Sequence, residues 1–208
     1  MIPVKVLAVQ YLSAASKELC KALGTDAPCL GLITTDSDDP TYIALDQATK
    51  DAQVSVCYGR SFYAGAGNAT TPYAGEVIGI LAGPTPGAVR SGMESALSEL
   101  ERVGFEEVNG VPCLAHTVSR CGSFLAKEAG VTEGTPIAYL IAPPLESMYA
   151  MDAALKAADV KLCKLYTPPT ETNFGGGLLT GTQSACAAAC AAFRAAVAEI
   201  ARNPRKPG

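Results

Sequence analysis

The stretch Ala44-Leu-Asp-Gln-Ala-Thr-Lys-Asp-Ala-Gln-Val-Ser-Val-Cys57 occurs twice in this chain of 208 residues. A shift of 106 residues lays it on Ala150-Met-Asp-Ala-Ala-Leu-Lys-Ala-Ala-Asp-Val-Lys-Leu-Cys163. Asp46 then meets Asp152, Lys50 meets Lys156, Val54 meets Val160 and Cys57 meets Cys163. The same shift pairs Ser13 with Ser119, Leu19 with Leu125, Lys21 with Lys127 and Gly24 with Gly130. Further on, a shift of 100 pairs Gly75 with Gly175, Ala88 with Ala188, Ala96 with Ala196, Glu99 with Glu199 and Arg102 with Arg202. Matches that hold one register over such a span mark a tandem duplication. The reading is two domains, 1–109 and 110–208, each long enough to bury its own core.

Charged residues make up 17% of the chain, against about 25% in an ordinary soluble domain. So little charge suits subunits that bury flanks in an assembly. The net charge of −4 argues against a nucleic-acid partner, which requires a basic face. The apolar runs fall short of the roughly 18 residues that span a bilayer. The apolar start is interrupted by Lys5 and Gln10 and has an equivalent in the second copy, so it reads as domain rather than signal peptide. The expected location is the cytoplasm.

Eight cysteines occur without a Cys-x-x-Cys pair or a zinc-like spacing, and read as small buried apolar residues of a reducing compartment. Cys186 and Cys190 lie one helical turn apart; tight packing among alanines explains them better than a soft metal. His116, the one histidine, falls in an apolar strand and reads as a core residue, which leaves no His-based triad.

Alternation and punctuation give each half the order β-α-β-α-β-loop-β-α, an α/β (α+β) sheet with helices packed on it. Strands are expected at Val4–Gln10, Cys29–Thr34, Gln53–Tyr58 and Glu76–Leu81, with helices at Ser13–Leu23, about Thr41–Asp51 and Pro86–Val103. Asp39-Pro40 supplies an N-cap and a first-turn proline for the second helix. In the second copy the strands are Pro112–Thr117, Ile137–Ile141, one ending near Leu165, and Leu178–Thr180. Its helices run to Ala129, begin near Ser147 and cover roughly Gln183–Arg202. Two Gly-rich connections stand at equivalent places, Gly59–Ala74 and Thr167–Gly177, the second six residues shorter by the change of shift. Their aromatics, Phe62, Tyr63, Tyr73 and Phe174, point to functional loops.

Thr35-Asp-Ser-Asp-Asp-Pro-Thr-Tyr-Ile-Ala44, Tyr58-Gly-Arg-Ser-Phe-Tyr-Ala-Gly-Ala66, Ala138-Tyr-Leu-Ile-Ala-Pro-Pro-Leu-Glu146 and Glu199-Ile-Ala-Arg-Asn-Pro204 resemble a shell-protein family of ethanolamine-utilization bacterial microcompartments. The likeness runs along essentially the whole chain. It implies two circularly permuted, ferredoxin-like-related bacterial microcompartment (BMC) domains, with three chains forming a pseudohexameric tile that adjoins other shell proteins. It also implies a gated central pore and small pores that bind ethanolamine. Ethanolamine is a small cation with a hydroxyl, so its site requires carboxylates and a carbonyl acceptor. The resemblance places it near Asp38, Asp39, Phe105 (backbone carbonyl), Glu146 and Glu171. It assigns Arg60, Phe62, Tyr63, Asn68, Tyr73, Asn173, Phe174, Gly175 and Gly176 to the pore loops. Gly59, Gly65, Gly67 and Gly175–Gly177 would give those loops two conformations. No cofactor is required; cobalamin is an expected traveller through the open pore.

An enzymatic reading of Gly175–Thr182 as a phosphate cradle fails for want of a P-loop ending or a dinucleotide fingerprint. The rival reading is a cytoplasmic trimeric small-molecule sensor built from duplicated ferredoxin-like domains.

Overall fold

A computed structural model describes residues 1–62, 77–168 and 170–204. The chain resolves into two compact units. The N-terminal unit holds Pro3–Val103 together with Gly122–Leu125; the C-terminal unit holds Met1–Ile2, Gly104–Cys121 and Ala126–Gly208.

The N-terminal unit runs β1 (Val6–Leu12), α1 (Lys17–Ala22), β2 (Cys29–Thr35), α2 (Asp38–Asp51), β3 (Ser55–Ser61), β4 (Val77–Gly83) and α3 (Pro86–Leu100). Its antiparallel sheet has the order β1-β2-β4-β3. The C-terminal chain adds β5 (Glu106–Val108), β6 (Val111–Val118), α4 (Ser123–Ala129), β7 (Ile137–Ala142), α5 (Pro144–Ala157), β8 (Val160–Tyr166), β9 (Gly175–Gly181) and α6 (Gln183–Arg202). Its sheet has the order β5-β6-β7-β9-β8. The second sheet repeats the first with one strand added.

That strand, β5, escapes the sequence reading. Asn109 (φ 51°) and Gly110 (φ 81°) form its tight turn onto β6. Two consecutive left-handed residues are what a two-residue hairpin requires, and Asn-Gly supplies them at low cost. Because β5 pairs with β6, the units divide at Val103/Gly104 and not between residues 109 and 110.

The repeat is exact where packing fixes it. Helix α2 shifted by 106 is α5, residue for residue. Each edge strand carries a register shift at the same place, between Val56 and Tyr58 on β3 and between Leu162 and Lys164 on β8. Further on, the structure corrects the register. Thr85 caps α3 by accepting from the Ala88 N–H, and Thr182 caps α6 by accepting from the Ala185 N–H, a shift of 97 rather than 100. At 97, buried Val89, Gly92, Met93, Ala96 and Leu100 fall on buried Cys186, Ala189, Cys190, Phe193 and Val197. A register three residues off lands on nearly the same helical face. An alanine-rich helix therefore offers false matches one turn away.

This alignment also explains the cysteines. Cys186 and Cys190 occupy the places of Val89 and Met93, and the pair Met93/Ala96 becomes Cys190/Phe193, which trades large and small across one core. Volume-conserving exchange of this sort preserves a packed interior. Helix α6 is long and apolar enough to cross a membrane by length and composition alone. Its buried stripe, from Cys186 to Val197, belongs to the core of the C-terminal unit.

Three further expectations are corrected. Helix α1 begins only after Ser16, whose hydroxyl accepts from the Leu19 N–H. Helix α2 begins at Asp38, with Ser37 at the cap position, so Asp39 lies inside the first turn and is not the N-cap. His116 is half-buried on β6, opposite Tyr139, rather than a core residue.

Candidate functional site

The candidate ligand residues fall in both units. In the N-terminal unit, Asp38 and Asp39 open α2 and both are buried, each 7% exposed. A hydroxyl network fixes the chain that leads into them. Thr35 Oγ1 and Thr41 Oγ1 lie 2.7 Å apart, and both bond to the Ser37 carbonyl, at 2.9 and 2.7 Å. Asp38 Oδ1 accepts the Asp39 N–H at 2.9 Å. Burial pushes the Asp38 acid up from its ordinary value, opposed by hydrogen bonds from Ser61 and from the backbone. A carboxylate withdrawn from water without a full cation partner is costly in its charged form.

Ser61 is a residue that sequence reading missed. It bonds to Asp38 and lies 2.6 Å from the Tyr42 hydroxyl. The Tyr42 ring packs on Phe124 at 5.8 Å, within the same unit. Ser61 is the last residue of β3, so the buried acid is tied to the point where the strand ends. A serine at a strand end carries no sequence signal of its own.

In the C-terminal unit, Phe105, the 170–174 turn and the start of β9 come together. The Phe105 carbonyl accepts the Ile2 N–H at 2.6 Å, which uses one of its two lone pairs. Its ring meets Phe174 edge-on, with centroids 5.7 Å apart. The turn is closed by Thr170 Oγ1 donating to the Phe174 carbonyl at 2.7 Å and by the Asn173 N–H donating to Thr170 at 3.1 Å, with Asn173 at φ 62°. Glu171 is exposed on this turn. Glu146 is half-buried in the first turn of α5, where a carboxylate complements the helix dipole. The neighbouring Ser147 lies so near β9 that a Cβ at Gly175 would stand 2.6 Å from its hydroxyl.

The assigned pore-loop residues divide in three. Tyr63, Asn68 and Tyr73 lie outside the described residues, as do Gly65 and Gly67. Phe62 follows β3 directly and Asn173 and Phe174 precede β9, all three in connections. Arg60 and Gly59 belong to β3, and Gly175, Gly176 and Gly177 belong to β9; none of them is in a loop. The β9 glycines are set by close approach rather than by hinging. A Cβ at Gly176 would stand 1.9 Å from the Leu140 carbonyl oxygen, and one at Gly177 2.2 Å from that of Lys164. Gly175–Gly181 is paired as a strand with β7 and β8, so it is not a glycine-rich loop ahead of a helix.

Among the described residues no group of three or more His, Cys, Asp or Glu is placed to hold a metal ion. Burial raises the thiols of Cys57, Cys163, Cys186 and Cys190, and holds Cys113 at about 12. A thiol held protonated by burial is a weaker nucleophile than an exposed one.

Comparison with known proteins agrees with this architecture. Residues 29–112 match the BMC domain family. The match begins at the first residue of β2, with β1 and α1 ahead of it, as expected of a permuted copy. The bacterial microcompartment shell protein EutL of Clostridium perfringens is 57% identical over 98% of this chain and 97% of its own. EutL of Escherichia coli is 55% identical over 84% of this chain and 82% of its own. The crystal structure of ethanolamine utilization protein EutL from Leptotrichia buccalis superposes with a TM-score of 0.95 at 53% identity, covering 99% of this chain and 98% of that one. A trimeric bacterial microcompartment shell protein, PduB, shares the fold at a TM-score of 0.78 and 18% identity, over 96% of this chain and 91% of its own.

These features define a shell protein with two tandem BMC domains, a structural component rather than an enzyme. The chain belongs to the EutL family of bacterial microcompartment shell proteins.

Proposed function

We propose that this protein is a homotrimeric tile in the shell of an ethanolamine-utilization microcompartment of the bacterial cytoplasm, lying among other shell proteins. Its small pores bind ethanolamine, and a central gated passage, lined from the two long connections, admits larger solutes such as cobalamin. The observation that carries the ligand reading is Asp38. A buried acid bonded to a serine that ends β3 is poised to pair with a small organic cation, and the cation's charge repays the desolvation. Asp39, Phe105, Glu146 and Glu171 are assigned to ethanolamine by the family likeness. The link through Ser61 connects the acid to the root of connection 62–76. A ligand at Asp38 then influences the passage to the extent that it binds one loop arrangement better than the other.

Calorimetry with ethanolamine tests the site. Binding is expected for the wild-type protein, to weaken about tenfold or more in Asp38→Asn as a charge-assisted bond is lost, and to fade as pH falls and Asp38 takes up a proton. Equal affinity in the two proteins would remove the assignment. A native mass of one chain instead of three would remove the tile.

A further inference from the structure

Asparagine is one of the chemically labile residues. The backbone nitrogen of the residue after it can close a five-membered ring on Cγ, and what hinders the attack is the side chain that next residue carries. The chain has four asparagines, followed by Ala69 after Asn68, Gly110 after Asn109, Phe174 after Asn173 and Pro204 after Asn203. Asn68 lies outside the described residues, and the other three are exposed. Asn203 is excluded by chemistry, because a proline nitrogen has no hydrogen to lose.

Asn109 and Asn173 make a matched pair within the C-terminal unit. Among the described residues they are the non-glycine positions with positive φ, at 51° and 62°. Phe174 crowds the peptide after Asn173, and it is anchored by its ring against Phe105 and by its carbonyl, which accepts from Thr170. After Asn109 stands a glycine with nothing within 4 Å of its Cβ position.

The hairpin that carries Asn109 is also thinly held. Strand β5 is three residues long and outermost in its sheet. One of its partners on β6 is Pro112, opposite Glu107, which has no N–H to give to a ladder. A short exposed element of this kind opens locally at low cost. The closed turn has one side-chain latch: Asn109 Nδ2 donates at 3.1 Å to the carbonyl of Ala198, near the end of α6. Opening frees both the left-handed backbone and the side-chain amide, and Gly110 N can then reach Cγ.

We infer that Asn109 is a site of self-modification, where the amide is lost through a cyclic imide with Gly110 as the molecule ages. The Gly110 N–H gives its proton to hydroxide, its nitrogen bonds to Cγ, and the Cγ–Nδ2 bond breaks to release ammonia. Water then opens the ring. Attack at Cγ restores the ordinary main chain and leaves an aspartate. Attack at the main-chain carbonyl carbon leaves an isoaspartate, with the chain running through Cβ and Cγ and longer by a methylene. Either product has a carboxylate where the amide was, and a carboxylate cannot donate to the Ala198 oxygen. Arg202 Nε, which donates to that same oxygen at 3.2 Å, puts a cation beside the new charge. The longer main chain no longer fits a two-residue turn, so the isoaspartate form also loosens β5 from β6.

Ageing the purified, folded protein at mildly alkaline pH and mapping its peptides by mass spectrometry tests this. The peptide that holds Asn109 should exchange the mass of an amide for that of an acid about tenfold or more faster than the peptide that holds Asn173. It should become a substrate for carboxyl methylation specific to isoaspartate, and its rate should rise with pH as hydroxide becomes available. Asn109→Gln, which keeps a donor amide on a longer side chain, should stay unmodified at this position over the same period. An Asn109 peptide unchanged after ageing, or equal rates at Asn109 and Asn173, would overturn the inference.

Discussion

Asp46 and Asp152 occupy the same place in two copies of one helix, and they have opposite fates. Asp46 is sealed from solvent and accepts two backbone N–H groups, with Lys50 at 3.6 Å. Asp152 stands in water and makes a surface pair with Lys156 at 2.6 Å. The residue type, the helix position and the lysine four residues on agree, so the difference lies in what covers each copy. A duplicated gene yields two like folds, but not two like surfaces.

The largest expected effect separates the two sheets. By the register of β8 on β9, Gly176 stands where the first copy has Ile78. If the copies were interchangeable, Gly176→Ile would be neutral. Its φ of +144° and the Leu140 carbonyl in its Cβ position make even Gly176→Ala cost about 4 kcal/mol or prevent folding, because backbone cannot yield as a side chain does. Yield of folded protein and denaturant unfolding check this.

Next comes the carboxylate pair itself. Asp46→Ala strips two charge-assisted bonds from buried N–H groups and should cost about 3 kcal/mol. Asp152→Ala, in dilute single chains, should change stability by no more than about 0.5 kcal/mol. Equal effects in paired unfolding curves would erase the contrast between the copies.

Asp38 gives a smaller effect with a defined sign. Burial raises its folded-state pKa, so its stabilising contribution is complete below the ordinary carboxylate value and is lost as pH rises through the raised value. Asp38→Asn should therefore gain roughly 1 kcal/mol at pH 7 and lose that advantage in acid. The second copy has Pro144 at this place and should show no such dependence. Melting temperatures of both proteins against pH decide it.

The smallest effect is a gain. Gly87 is exposed in the first turn of α3, and an added Cβ there would approach nothing nearer than Thr85 Oγ1 at 3.9 Å. Gly87→Ala should stabilise by about 0.5 kcal/mol by narrowing the unfolded ensemble.

The duplication and the element order were legible because burial writes periodic patterns, and α2, α5 and α6 carry them strongly. Helix α6 runs over the expected Gln183–Arg202. The register of α3 on α6 was not legible, since alanines three residues apart share a face and only the threonine caps distinguish the alternatives. The β5 hairpin was signalled by Asn109-Gly110 but is short enough to pass for a loop. The β9 glycines were misread because composition alone does not distinguish a flexible glycine from one pressed against a carbonyl. Of the candidate site, the acids at the start of α2 could be read from an Asp-rich run before a helix. Ser61 could not, because its role comes from a contact across 23 residues of chain.

The register shifts at Cys57 and Cys163 have a consequence for growth. Both sit on outermost strands, β3 and β8, where unpaired amide and carbonyl groups would otherwise offer a template to any passing extended chain. A local kink there spoils the regular spacing that a further strand would need. Each sheet therefore ends in an edge that is poorly shaped to take on another strand.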